Sequence, residues 1–95
     1  MITSKQRAYL RSLSNRLPAL YQIGKSGIDT TLLKTLDEAL EAKELIKVHV
    51  LENAADTARD YANALAEALH AEPVQTIGSK FVLYRQSQNK PQIEL

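Results

Sequence analysis

The feature that most restricts the possible folds is a switch in hydrophobic spacing in the middle of the chain. Leu32, Leu36 and Leu40 recur at the spacing of one helix face. Within residues 45–51, the apolar side chains of Ile46, Val48 and Val50 alternate with the polar side chains of Lys47 and His49. Alternation with a period of two predicts a strand that is buried on one face only. A helix that leads directly into such a strand predicts an α/β domain.

Hydrophobic spacing, caps and turn residues along the whole chain predict three helices and four strands. Thr3 and Gln6 have the spacing of a capping box, and Pro18 ends the helix that this box opens. Gly78 and Ser79 suit the two-residue loop of a type II′ hairpin. The predicted elements are a helix at 3–17, a strand at 19–23, a helix at 30–42, a strand at 45–51, a helix from about residue 53 to 72, and strands at 74–77 and 80–86.

This order, α-β-α-β-α-β-β, predicts one domain with a four-stranded mixed sheet and three helices. Ninety-five residues are enough for one domain only. The β-α-β steps favour parallel pairing, whereas the final hairpin must be antiparallel. We expect the domain to cover residues 1–86. Residues 87–95 are polar and include Pro91, so they are predicted to be a frayed tail.

Composition excludes several classes of protein. The chain has no cysteine and two histidines far apart, so we expect no metal site, no thiol nucleophile and no cofactor. The longest apolar run, from Phe81 to Tyr84, is too short for a membrane span or a secretory signal. No heptad seam is present. A cytoplasmic monomer that does not associate with membranes is therefore expected.

Charge is unevenly distributed although the net charge is only +1. Residues 1–28 contain five basic residues and no acid, whereas residues 29–72 contain ten acids and four basic residues. Such segregation lets a nearly neutral protein present one basic face to a polyanion. The alternative is that these charges only solvate the helices that carry them.

The segment Gly24-Lys25-Ser26-Gly27 is the most informative local motif. A nucleotide-binding P-loop would need a glycine where Ala19 stands, so that interpretation is rejected. A phosphate-contacting turn remains, because glycines let a ligand approach the backbone and the N–H groups opening the next helix favour an anion. The other interpretation is a tight turn without a ligand.

Nothing in the sequence predicts an enzyme or a small-molecule substrate. His49 on a strand is interpreted as a solvent-facing residue, and His70 as a favourable cation at a helix end. No Ser, His and Asp stand at a recognisable catalytic spacing.

Four motifs in order resemble the CRM domain family, whose stand-alone bacterial members are the YhbY-like proteins. The motifs are residues 3–7, the loop at 23–28, the strand at 44–48, and Gln75-Thr76-Ile77-Gly78 followed by Val82-Leu83-Tyr84-Arg85. The resemblance implies a fold similar to the C-terminal domain of bacterial translation initiation factor three. It also implies RNA binding, with ribosomal RNA in large-subunit precursors as the partner.

Carried over residue by residue, the resemblance implies a set of RNA-contacting positions. They are Gly24, Lys25, Ser26 and Gly27 in the loop, Lys5, Arg7 and Arg11 in the first helix, and Arg85 after the last strand. We also expect Arg16, near the end of that helix, to neutralise a neighbouring phosphate. Many relatives have Gly-Lys-Thr at the final hairpin, where this chain has Gly78-Ser79-Lys80. That shift by one residue turns the basic side chain to the other sheet face, so Lys80 is left out of the set. The alternative function is a protein–protein adaptor that docks through the acidic surface of the second and third helices.

Overall fold

A computed structural model describes residues 2–95 and confirms the predicted fold class. The elements follow the predicted order. They are α1 (Ser4–Ser14), β1 (Tyr21–Ile23), α2 (Thr30–Lys43), β2 (Leu45–Val50), α3 (Ala58–Leu69), β3 (Glu72–Ile77) and β4 (Lys80–Tyr84).

The four strands form one mixed sheet in the order β1-β2-β4-β3. β1 and β2 are parallel, with Ile23 opposite Val50, and α2 connects them. β4 is antiparallel to both β2 and β3, so Lys80 lies opposite His49 and Ile77. One end of the sheet therefore carries the β1–α2 loop, the β2–α3 loop and the β3–β4 turn. We call this the loop end of the sheet.

Helices cover both faces of the sheet. α2 and α3 pack on the face that presents Ile46, Val48, Phe81 and Leu83, and these residues belong to the larger hydrophobic cluster. On the other face Leu10 of α1 packs against a smaller cluster of buried residues, which comprises Leu45, Val74, Val82 and Tyr84. The single α1 helix leaves part of this second face open, and that part lies toward the loop end.

Local sequence signals explain most of the element boundaries. The Thr3 side chain accepts a hydrogen bond from the Gln6 N–H, and the Gln6 side chain accepts one from the Thr3 N–H, as the capping box predicts. α1 ends at Ser14, before Pro18, and Leu13 in its last turn is 36% exposed. Asp29 caps α2 through the Leu32 N–H.

Two predicted boundaries around α3 are wrong. The helix begins at Ala58, after the cap Thr57, and not near Asn53. The residues between β2 and Thr57 form turns, because the chain must cross from the sheet to the helix layer before α3 can begin. Pro73 lies inside β3 and does not precede it. An edge strand tolerates proline, since one side of the strand needs no N–H donor.

The C-terminal tail also differs from the prediction of fraying. The carboxylate of Glu44 is 0% exposed and accepts hydrogen bonds from the N–H groups of Ser87, Gln92 and Ile93, at 2.7, 2.6 and 2.7 Å. Ile93 packs against the cluster beneath α1. The tail has no regular secondary structure, but one buried carboxylate fixes it to the domain.

Candidate nucleic-acid interface

The Gly24–Gly27 segment forms a closed turn at the loop end of the sheet. The Gly27 N–H donates to the Gly24 carbonyl at 3.0 Å, so Lys25 and Ser26 occupy the two outer positions. Both side chains are exposed. Among the described residues the backbone N–H groups of Lys25 and Ser26 have no acceptor within the chain. The turn therefore presents two N–H donors, a hydroxyl and an ammonium group to solvent.

The two glycines of the turn are favoured at their positions for different structural reasons. Gly27 has φ +63°, a left-handed conformation that a side chain disfavours. A Cβ at Gly24 would lie 3.4 Å from Asn53 Oδ1 and 3.5 Å from Leu51 Cδ1, close to the limit of ordinary contact. The turn thus rests against the β2–α3 loop, and this support holds its outer positions in one place.

The start of α2 is less available to an anion than the sequence suggested. The Asp29 carboxylate accepts the Leu32 N–H at 2.8 Å, so it occupies one of the open donors and adds a negative charge there. The expectation that the helix N-terminus attracts phosphate is weakened for this reason. Any anion at this loop must rely on the turn itself.

α1 runs along the sheet toward the loop end. The Ile2 N–H donates to the Glu72 side chain at the far end, while Asn15 lines a pocket with Lys47 and Lys80 near the loop end. Arg16 follows Asn15 directly and is exposed. Lys5 lies ten residues before Asn15, about 15 Å back along the helix. The structure therefore places Arg16 at the loop end of the sheet and Lys5 toward the far end, with exposed Arg11 between these two along α1.

Two of the predicted arginines make bonds within the domain. An Arg7 guanidinium N–H donates to the Pro73 carbonyl and ties α1 to the edge strand β3. Arg85 lies at the far end of the sheet, where its guanidinium donates to Asp37 Oδ1 at 2.6 Å and to the Leu69 carbonyl at 3.0 Å. Arg85–Asp37 is the one salt bridge found within residues 2–95. Arg7 and Arg85 are thus engaged in holding elements together.

Part of the acidic surface that an adaptor would use is engaged as well. Asp37 is paired with Arg85, and Glu41 accepts hydrogen bonds from the Ser87 hydroxyl and from the N–H groups of Gln88 and Asn89. The Ser87 hydroxyl, followed by these two N–H groups, lowers the pKa of Glu41 below its ordinary value of 4.5. These acids fasten β4 and the tail to α2.

Three basic residues at the loop end were not included in the predicted set. Lys47, His49 and Lys80 share the sheet face that α1 leaves partly open, because Lys80 lies opposite His49 and Lys47 is two residues from it. The alternation in β2 already placed Lys47 and His49 on one face. The position of Lys80 beside them follows only from the pairing of β2 with β4, which joins residues that are far apart in sequence.

In residues 2–95 no three His, Cys, Asp or Glu side chains come together as a metal site would require. None of the helices between residues 2 and 95 combines the length and apolar character needed to cross a bilayer.

A small α/β domain with an exposed GxxG turn and basic residues at the same end of the sheet resembles the modules that contact a nucleic-acid backbone. The CRS1 / YhbY (CRM) domain model matches residues 2–85, and the chain belongs to this family. The relative named "Probable RNA-binding protein YqeI" from Bacillus subtilis is 45% identical over 95 residues, which cover 100% of this chain and 99% of that protein.

Two further comparisons agree. A Haemophilus influenzae protein named "RNA-binding protein" is 34% identical over 87 residues, which cover 92% of this chain and 88% of that protein. The solution structure of the hypothetical protein SAV1595 from Staphylococcus aureus, described as a candidate RNA-binding protein, has a TM-score of 0.83 and 48% identity. That match covers 100% of this chain and 99% of the other.

Proposed function

We propose that this protein binds RNA through the Gly24–Gly27 turn and the neighbouring basic end of α1. The observation that carries the proposal is the arrangement of the turn, which exposes Lys25 and Ser26 at one end of the sheet and leaves their two N–H donors without an acceptor among residues 2–95. Phosphate oxygens are the acceptors that such a group of donors fits. The family membership and the names of the relatives support RNA as the polyanion.

Each part of this surface has a separate role. The turn holds one phosphate through its backbone N–H groups and the Ser26 hydroxyl, while the Lys25 ammonium neutralises its charge. Arg11 and Arg16 approach neighbouring phosphates from the exposed side and the end of α1. Arg7 and Arg85 support this surface indirectly, because they fix α1 to β3 and α2 to β4. Lys5 adds positive charge at a greater distance.

The partner that we propose is ribosomal RNA in precursors of the large ribosomal subunit, in the cytoplasm. The resemblance of the four motifs to the stand-alone bacterial members of the family supports this partner. We further propose that the protein acts as a monomer and assists assembly by holding the RNA backbone, without a catalytic step.

A double substitution in the turn tests this proposal. Lys25→Asp with Ser26→Asp places negative charge where the phosphate must lie and keeps both glycines, so the turn is retained. The matched control is Lys34→Asp with Asn63→Asp, which makes the same change of charge at exposed positions on α2 and α3. We expect the turn variant to fold and to lose co-sedimentation with large-subunit precursors, while the control co-sediments like the wild type. Equal co-sedimentation of the two variants would overturn the role of the turn.

A further inference from the structure

The open half of the sheet face beneath α1 carries a second group of polar and basic side chains. Two rows cross the strands there, and we call them the sheet rows. The first row runs through Gln22, His49, Lys80 and Ile77, and the second through Lys47, Val82 and Gln75. The side chains in the sheet rows are two lysines, two glutamines, a histidine, an isoleucine and a valine. The sheet rows therefore contain no carboxylate.

The geometry of a sheet sets the spacing of these groups. Lys80 and His49 are direct cross-strand partners, about 5 Å apart at their Cα atoms. Lys47 is two residues from His49, about 7 Å along the strand. Lys80 is exposed and Lys47 and His49 are partly exposed. Three groups that donate or can carry positive charge therefore lie on one rigid surface.

The sheet rows are continuous with the Gly24–Gly27 turn. Gln22 belongs to the first row and also lines a groove with Gly24, Ser26 and Gly27. On the opposite side, Asn15 at the end of α1 lines a pocket with Lys47, Gln75, Ile77 and Lys80. A strand of RNA leaving the turn at Gln22 thus meets the sheet rows before it reaches α1.

We propose that the sheet rows are a second RNA-contact surface, which receives an unpaired strand that continues from the Gly24–Gly27 turn; this inference rests on the proposed function. Lys47 and Lys80 contact phosphates. The amides of Gln22 and Gln75 offer donors and acceptors to base edges, and His49 offers a ring on which a base stacks. Base edges and base faces are accessible together only in an unpaired strand, which is why a duplex is not the ligand.

The test compares two pairs of lysine substitutions. Lys47→Gln with Lys80→Gln removes both charges from the sheet rows, and Lys34→Gln with Lys90→Gln removes two charges from exposed positions elsewhere. Binding is measured by fluorescence anisotropy with a labelled, unstructured single-stranded RNA of about 12 nucleotides. At low salt we expect the sheet-row pair to bind about 10- to 100-fold more weakly, and the log–log salt slope to shrink by about 1.4, or about 0.7 per lost contact.

Several results would overturn the inference. If the Lys47/Lys80 double variant binds the RNA as tightly as the Lys34/Lys90 double variant, the sheet rows are not part of the interface. The proposed function is then unaffected. A wild-type protein that does not bind the RNA overturns both. An RNA duplex that competes as well as the single strand contradicts an unpaired ligand. Because Lys47 is half-buried, Lys80→Gln alone is also measured, and an unchanged slope in that exposed-site variant counts against the proposal.

Discussion

At the scale of single residues, Glu44 combines three unusual properties. It is a buried carboxylate, it ends α2 with φ +68°, and it accepts three backbone N–H groups from the tail. Glycine or asparagine is the usual residue in a left-handed position at a helix end. Burial raises the pKa of Glu44, but the three N–H donors outweigh burial, so the pKa lies below its ordinary value of 4.5. The folded state therefore stabilises the charged form.

We predict that acid weakens this domain through Glu44 and Glu41. A carboxyl group whose pKa is lowered on folding contributes stability above its unfolded pKa and loses it as the pH falls through the folded value. Unfolding free energy should thus decline as the pH falls below 4.5. Glu44→Gln should cost about 1–3 kcal/mol near neutral pH, because one amide oxygen cannot accept all three N–H groups that the two carboxylate oxygens accept. Urea unfolding over a pH series measures both effects.

Glu38→Gln is the control for this prediction, since it makes the same change of charge at an exposed position on α2. It should leave both the stability and its pH dependence close to those of the wild type. A Glu44→Gln variant with the acid sensitivity of the wild type would show that the tail is not held by this carboxylate.

At the scale of elements, α1 has two functions on different sides. Its Leu10 packs against the sheet, and Arg7 reaches the carbonyl of Pro73 on β3. Arg11 lies four residues after Arg7 but is exposed, and its side chain makes no hydrogen bond or ion pair among residues 2–95. The resemblance implied that both arginines contact RNA, whereas in the structure the Arg7 side chain is bonded to β3.

The two arginines should therefore respond differently to substitution. Arg7→Gln should lower the unfolding free energy by about 1.5–3 kcal/mol, because a hydrogen bond from a charged donor is lost. Arg11→Gln should leave stability within about 0.5 kcal/mol, and it should weaken RNA binding. Thermal unfolding and anisotropy on the same samples separate the effects. Equal losses of stability in the two variants would contradict this division.

Local patterns predicted the type and order of the helices and strands better than their first and last residues. The capping box at Thr3 and the alternation in β2 are properties of neighbouring residues, and both are confirmed. The start of α3 and the place of Pro73 depend on where the chain meets the rest of the sheet. The contact between Glu44 and the tail joins residues more than forty positions apart, so no local pattern reveals it.

At the scale of the whole molecule, the domain separates two ends of one sheet. The far end is fastened by the Arg85–Asp37 ion pair and by the hydrogen bonds that Glu44 accepts from the tail. The loop end carries the Gly24–Gly27 turn and the sheet rows, where basic groups remain exposed or half-exposed. The sequence predicted the turn and the charge segregation. It did not predict that β2 and β4 bring Lys80 beside His49, because strand order is not a local property.

The proposed function requires that basic groups at the loop end and on α1 bind an RNA backbone. The most direct measurement is the affinity of the wild-type protein for the single-stranded RNA across a salt series. Counterion release at about five contacts, from Lys25, Arg11, Arg16, Lys47 and Lys80, predicts a log–log slope of about −3.5. Affinity should then fall about 100-fold between roughly 50 and 200 mM salt. An affinity that does not change with salt would contradict binding of the RNA backbone by these basic side chains.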